Sequence, residues 1–270
     1  MTDLFDVRDR VAVVTGGYGV LGGSMATALA AAGARVVIVG RNIAAADAKV
    51  AQLREAGGKA MAAIADVTDA EALRRARAEI VNAWGRIDVL VNTAGGNVAR
   101  ARTDAVLPFS MPIDAFDEVL RLNLHGTVIP SLVFGESMAE KGRGSIINIS
   151  SMASTQALSG VMGYSAAKAA VENFTKWLAV DLARRCGDRM RVNAISPGFF
   201  LATQNRAVLV NPDGSWTPRA LSVLAKTPMG RFGDHAELRG ALLFLASDAS
   251  SFVTGTVLPV DGGFSAFSGV

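Results

Sequence analysis

Apolar residues in this chain fall in short continuous runs rather than in strict alternation with polar ones. Seven such runs predict strands: RVAVVTG (10–16), ARVVIVGRN (34–42), AMAAIADV (60–67), IDVLVNTAGG (87–96), GSIINISS (144–151), MRVNAISPG (190–198) and GTVLPVDGG (255–263). A strand wetted on one face alternates; a continuous run suits burial on both faces, as in a parallel sheet covered by helices. Between the early runs lie Ala-rich helical patterns, GSMATALAAAG (23–33), IAAADAKVAQLREAGG (43–58) and DAEALRRARAEIVNAWG (69–85), and a long helical stretch precedes the fifth strand. This alternation predicts an α/β fold, doubly wound, with helices on both faces of the sheet. No linker, repeat or low-complexity tract divides residues 1–270, so one domain is expected. The longest irregular part, 199–230, is rich enough in Pro and Gly to predict a partly helical flap over a ligand.

Composition narrows the chemistry. Half of the 270 residues are hydrophobic and 19% are charged, enough for a sizeable core without metal or disulfide support. The single cysteine, Cys186, excludes an internal disulfide framework and predicts a cytoplasmic setting. With His125 and His235 it makes a poor zinc ligand set, and no metal is expected. The N-terminus lacks a secretory apolar core, and no apolar run is long enough to predict a membrane span. The net charge of +3 is small and the basic residues are dispersed, against a nucleic-acid partner.

VVTGGYGVLGGSMA lies between the first strand and the first helix, where Gly17-x-Gly19-x-x-Gly22 has the spacing of a dinucleotide loop. Such glycines let backbone N–H groups approach a pyrophosphate at a helix N-terminus. The end of the next strand discriminates between cofactors. An acidic residue there would bond the ribose 2′-hydroxyl of NAD; here Gly40 is followed by Arg41, which can pair with a 2′-phosphate, so NADP(H) is favoured over NAD(H). Asp66 can either accept from an adenine amino group or cap the helix that follows.

Taken in order, TGGYGVLGG, Asp66-Val67, NTAG (92–95), LNLHG (122–126), INISSM (147–152), YSAAK (164–168), VNAISPG (192–198) and VDGG (260–263) resemble the short-chain dehydrogenase/reductases along essentially the whole chain. The resemblance implies a Rossmann-type domain with a seven-stranded parallel sheet, assembled as a homotetramer or homodimer. Two departures stand out: Val20 replaces a glycine usual in the shorter branch, and Ala202 with Thr203 stands where a cofactor-binding threonine is usual. Gly16, Gly19 and Gly22 also spell the loop of a longer, epimerase-like branch, against which stand the length and the C-terminal VDGG.

Carried over residue by residue, the resemblance places a catalytic tetrad on Asn123, Ser151, Tyr164 and Lys168. Its cofactor contacts fall on Gly16, Gly17, Tyr18, Gly19, Val20, Leu21 and Gly22 in the loop, and on Arg41, Asn42, Asp66 and Val67 after the next two strands. They continue with Asn92, Ala94 and Gly95, then Pro197, Gly198 and Phe200, with Tyr164 and Lys168 shared. Hydride transfer at a carbinol carbon needs a proton moved at the adjacent oxygen. A free tyrosine, with a pKa of about 10, is a poor base near neutrality. At i and i+4 of a helix, Lys168 shares a face with Tyr164 and is expected to lower that pKa. Ser151 would hold the substrate oxygen, and Asn123 a water beside Lys168.

Three segments, YGVLGG, the flap from PGFFLATQNR to TPMGRFG, and the tail VLPVDGGFSAFSGV, are similar to the D-mannonate oxidoreductase (fructuronate reductase) group and other sugar-acid enzymes. Arg206 can pair with a hexonate carboxylate, with Gln204 and Asn205 bonding hydroxyls. Asn97 and Met152 are further candidate substrate contacts, and Arg100 and Arg102 stand near the same lip. Rival readings are a 3-ketoacyl or xenobiotic carbonyl reductase with an apolar pocket from Met152, Met162, Phe199 and Phe200, an epimerase-like enzyme, and a non-catalytic nucleotide sensor.

Overall fold

The computed structural model describes residues 3–104, 106–201, 206 and 208–269. Seven parallel strands form one sheet in the order β3-β2-β1-β4-β5-β6-β7. They are β1 (Val11–Thr15), β2 (Arg35–Gly40), β3 (Lys59–Ile64), β4 (Val89–Asn92), β5 (Arg143–Ile149), β6 (Arg189–Pro197) and β7 (Val257–Val260). Helices α1 (Val20–Ala31), α2 (Ile43–Glu55), α3 (Ala70–Trp84), α4 (Ile113–Leu120), α5 (Gly126–Glu140) and α6 (Met162–Cys186) provide the early crossovers, followed by α7 (Pro218–Lys226) and α8 (Leu238–Ala246). Strand order reverses between β1 and β4, and a crevice opens at the carboxyl ends of the strands there.

The strands' pleat divides the core in two. Ala12, Val14, Val36, Ile38, Val89 and Val91 face α1, α2 and α8. Val11, Val13, Val37, Val39 and Leu90 face α3, α5 and α6 on the other side. β1 and β4 are buried throughout, and β2, β5 and β6 are buried beyond their first one or two residues, as their continuous apolar runs require. The edges differ: β3 is exposed at both ends and β7 is only half-buried, because an edge strand lacks a neighbour on one side.

Two smaller clusters stand over the carboxyl edge. Ala101, Met111, Ala115 and Val119 form a lip against which Phe116 and Tyr164 pack. Leu209, Ala220, Val223 and Phe232 give the expected flap a nucleus of its own, with α7 as its helical part. The apolar tail begins by docking on its own chain, where Phe264 meets Phe199 edge-on at 5.4 Å. Among the described residues no helix is long and apolar enough to cross a membrane.

Candidate active site

Gly16, directly after β1, has φ +63°, a conformation that favours glycine. A Cβ there would come within 3.0 Å of Ala94 Cα, and one at Gly22 would lie 2.4 Å from both the Gly16 carbonyl oxygen and Thr93 Oγ1. The loop is therefore pressed onto the end of β4. Thr15 fastens the two strand ends, its Oγ1 accepting from the N–H groups of Thr93 and Ala94 at 3.2 and 3.3 Å. Helix α1 starts on Gly19, which has no side chain with which to cap it. Its first-turn N–H groups have no intrahelical partner and point where an anion is stabilised. The cleft above measures 880 Å³ and runs from Arg41 and Asp66, past this loop, to Tyr164 and Phe200. Its length, its glycine cradle and its donor-rich middle fit a dinucleotide.

At one end, Asp66 Oδ1 accepts from both the N–H and the hydroxyl of Thr68 at 2.8 Å, and Arg41 lies 3.5 Å from its other oxygen. Burial works to raise the Asp66 carboxyl, but the bonds from Thr68 and Arg41 outweigh it and hold it below the usual range. The cap of α3 is Asp69 instead, whose Oδ1 accepts from Glu71 and Ala72 at 3.0 Å. That leaves Asp66 to face the cleft. Gly40 has a specific cause as well: a Cβ there would lie 2.3 Å from the Tyr18 ring. Tyr18 thus occupies the space an acidic side chain would take, and its hydroxyl accepts from the Asn42 N–H at 3.4 Å.

At the other end, α6 and the exit of β5 bring the candidate catalytic groups together. Tyr164 stands beside Ser151. Lys168 is buried, its Nζ 5.5 Å from the centre of the Tyr164 ring and donating to the Ile149 carbonyl at 2.7 Å. Burial is the leading influence on both ionisable groups. It raises Tyr164 above its ordinary value, opposed by the Ser151 hydroxyl, and lowers Lys168 to about 8. This differs from the expectation that Lys168 lowers the phenol: its ammonium is turned to a backbone carbonyl.

Asn123 is fully buried in a π-helical turn, Arg121–His125, between α4 and α5. Its Oδ1 accepts from Gly96 N–H at 3.0 Å, and its Nδ2 donates to the carbonyls of Gly96 at 2.7 Å and Val119 at 2.9 Å. A Cβ on Gly95 would sit 2.7 Å from Asn123 Oδ1 and 3.5 Å from Lys168 Nζ, so the two side chains flank one glycine.

The remaining candidates divide. Val20, Leu21, Val67, Ala94 and Gly198 line the cleft with the residues already named. Gly17 turns toward the sheet, where a Cβ would meet Ile38 and Val14 at 2.9 Å. Asn92 is buried inside the fold, donating to Ser131 Oγ and Asn148 Oδ1 at 2.9 Å. Pro197 ends β6, one residue before the cleft. Met152 is buried in the turn after Ser151. Asn97 is exposed and accepts from the next N–H, Val98, at 3.0 Å. Arg100 and Arg102 are paired with Asp114 and Asp104, at 2.5 and 2.7 Å. Arg206 is exposed, its carbonyl accepting from Val210 N–H at 2.8 Å. Gln204 and Asn205, and the Ala202-Thr203 departure, lie outside the described residues.

Sequence reasoning missed Thr15, Thr93 and Thr68, which lock the cleft's floor and rim, and Glu118 and Arg121, which line it. Thr15 and Thr93 carried a signal, each at a strand end; Thr68, Glu118 and Arg121 carried none. His125 is exposed in the π turn. His235 opens a short 3₁₀ turn in which Asp234 and Glu237 cap reciprocally.

Known proteins are similar to the chain along essentially its whole length. The family model described as enoyl-(acyl carrier protein) reductase matches residues 19–265. An uncharacterised oxidoreductase of Bacillus subtilis, UxuB, is 44% identical over 275 residues, covering 98% of each chain. A Haemophilus influenza protein provisionally assigned as D-mannonate oxidoreductase, solved with bound NAD, superposes with a TM-score of 0.91 at 40% identity, over 98% of both chains. A gluconate 5-dehydrogenase from Burkholderia cenocepacia, solved with NADP and tartrate, gives 0.87 at 37% identity, again over 98% of both. The chain belongs to the short-chain dehydrogenase/reductase family, as an NAD(P)-dependent oxidoreductase acting on CH–OH groups.

Proposed function

We propose that this enzyme interconverts a secondary alcohol and a ketone of a sugar acid of the D-mannonate/D-fructuronate kind, with Tyr164 as the proton-transfer group. The observation that carries the reading is the juxtaposition of Tyr164 and Ser151 at the end of a dinucleotide-shaped cleft, with Lys168 buried behind them. The bound nicotinamide supplies the hydride acceptor or donor. Tyr164 takes or returns the proton at the substrate oxygen, and Ser151 donates to that oxygen as charge develops on it. Lys168, titrating near 8, holds the Ile149 carbonyl and so fixes the exit of the strand that leads to Ser151. Asn123 holds the Gly96 lip beside Lys168, and a water there links the lysine to solvent.

NADP(H) is the favoured cofactor. The Arg41 side chain is 75% exposed at the cleft rim, and its contact with Asp66 at 3.5 Å is of the exposed kind, worth at most about 1 kcal/mol. A 2′-phosphate, with up to two negative charges, competes for that guanidinium successfully. The relatives of known structure include one with NAD and one with NADP bound.

Two relatives connected with hexonates support the substrate class. Arg206, exposed on the flap over residues 199–230, is the candidate partner for the carboxylate, with Gln204, Asn205, Asn97 and Met152 around the sugar. An acyl or apolar carbonyl substrate is less well served, since Phe200, 6% exposed, is largely consumed in packing. The setting is proposed as cytoplasmic and the assembly as a homotetramer or homodimer, since Leu132 on α5 and Trp177 and Val180 on α6 are exposed apolar residues. Nicotinamide absorbance with a hexonate and with the corresponding uncharged hexitol tests the acid class. Preference for the hexonate is expected, and equal use of the hexitol would make the substrate a polyol.

A further inference from the structure

Tyr164, Lys168 and Glu172 succeed one another at four-residue spacing along a single face of α6. Each meets a different part of the chain leaving β5. Tyr164 faces Ser151, and Lys168 holds the Ile149 carbonyl. Glu172 Oε1 accepts from Ser150 Oγ at 2.7 Å and from Ser154 Oγ at 2.5 Å. Ser150 and Ser154 bracket Ser151. Ser154 Oγ also lies 2.7 Å from the Ser151 carbonyl, and the Ser154 N–H donates to that carbonyl at 3.0 Å. Ser151 Oγ itself accepts from the Ala153 N–H at 3.2 Å.

Glu172 is 8% exposed, and among the described residues it has no ion-pair partner. Burying a carboxyl without a counter-charge is costly unless hydrogen bonds compensate. Its two donors are the hydroxyls on either side of the serine that reaches Tyr164. We infer that Glu172 is a positioning residue for Ser151: it clamps the 150–154 turn from α6 so that Ser151 Oγ stays on the Tyr164 hydroxyl. The clamp's value to the reaction rests on the reading of Ser151 as the donor to the substrate oxygen.

The test uses the scarcity of tyrosine. In a Tyr18→Phe background Tyr164 is the only tyrosine, and phenolate absorbance follows its ionisation in the cofactor-free chain. Ser151→Ala removes the hydroxyl that works to lower the Tyr164 pKa, so it is expected to raise that pKa. Glu172→Ala is expected to raise it in the same direction, and to add nothing once Ser151 is already Ala. Glu172→Gln, whose amide oxygen still accepts both hydroxyls, leaves it in place. An unmoved Tyr164 in Glu172→Ala, or the same movement with and without Ser151, would overturn the inference. If Glu172→Ala lacks a cooperative melt, Ser154→Ala, which breaks one arm of the clamp, is held to the same two criteria. Turnover of D-mannonate with NADP+ supplies the second readout: Glu172→Ala lowers kcat by about 10²-fold, the scale of a misplaced reacting group, with the dinucleotide Kd unchanged. Normal turnover in Ser151→Ala beside the expected titration would remove Ser151 from the chemistry while leaving the clamp intact.

Discussion

Lys168 lies one helical turn beyond Tyr164, yet its ammonium passes the phenol ring at 5.5 Å and ends on the Ile149 carbonyl, leaving the Tyr164 hydroxyl to Ser151. The lysine thus binds the exit of β5 to α6 and sets the frame in which Tyr164 and Ser151 meet. Removing only the hydroxyl should separate chemistry from binding. Tyr164→Phe is expected to lower kcat by roughly 10²–10⁴-fold, the usual contribution of a positioned proton-transfer group. Dinucleotide affinity, read by titration calorimetry, should stay at the wild-type value; near-normal turnover would remove Tyr164 from the mechanism.

Burial of Lys168 carries a pH signature in stability. Its folded-state pKa, about 8, lies below the ordinary 10.5, so between those values the unfolded chain binds more protons. Stability contributed at this site therefore rises as pH rises from about 8 to 10.5, and the penalty of burying the ammonium is fully present below 8. Urea unfolding of the wild type and of Lys168→Met across that window should show the wild type gaining ground as pH increases. A constant difference would mean that Lys168 titrates alike in both states.

Gly22 faces two atoms at once, the Gly16 carbonyl and the Thr93 hydroxyl, each 2.4 Å from where a Cβ would stand. Both belong to the frame of the cleft and neither is the free end of a flexible chain. Gly22→Ala is expected to cost about 1–3 kcal/mol by overpacking and to displace the loop from its anion-binding position. The check is thermal: a lower Tm without ligand, and loss of the rise in Tm that NADP+ gives the wild type. An unchanged Tm would show that α1 can retreat at little cost.

Arg41 tests cofactor choice. Arg41→Asp should move the ratio of kcat/KM values from NADP toward NAD, through loss of the 2′-phosphate partner and repulsion of the phosphate. Because Arg41 and Asp66 make only an exposed pair, chain stability should change by no more than about 1 kcal/mol. An unchanged cofactor ratio would reduce Arg41 to a surface residue.

Much of this was legible in the sequence because the sheet writes itself in apolar runs. All seven predicted strands are present in one parallel sheet, whereas the βαβ alternation alone does not say that their order reverses between β1 and β4. Tyr164 and Lys168 were readable as a pair because helix geometry puts i and i+4 on one face, whereas Ser151 came from the family resemblance. Asn123 was placed by its motif alone, since the π turn that buries it breaks the 3.6-residue period on which helix reading depends. The partial exposure of β3 and β7 was hidden, because composition does not reveal which strands end up at an edge. The true surroundings of Lys168 were also hidden: i, i+4 spacing puts two side chains on one face without saying which way the longer one turns. Gly40 read as a missing carboxylate, whereas its cause is the ring of Tyr18, distant in sequence.

The central claim is most directly tested by nicotinamide absorbance with D-mannonate, D-gluconate, D-fructuronate and a 3-ketoacyl thioester, each paired with NAD(H) and NADP(H). Turnover confined to one hexonate and its keto partner, faster with NADP(H), is the predicted result. Reduction of the thioester with no turnover of any sugar acid would contradict the substrate class, while leaving Tyr164 and Ser151 in their proposed roles.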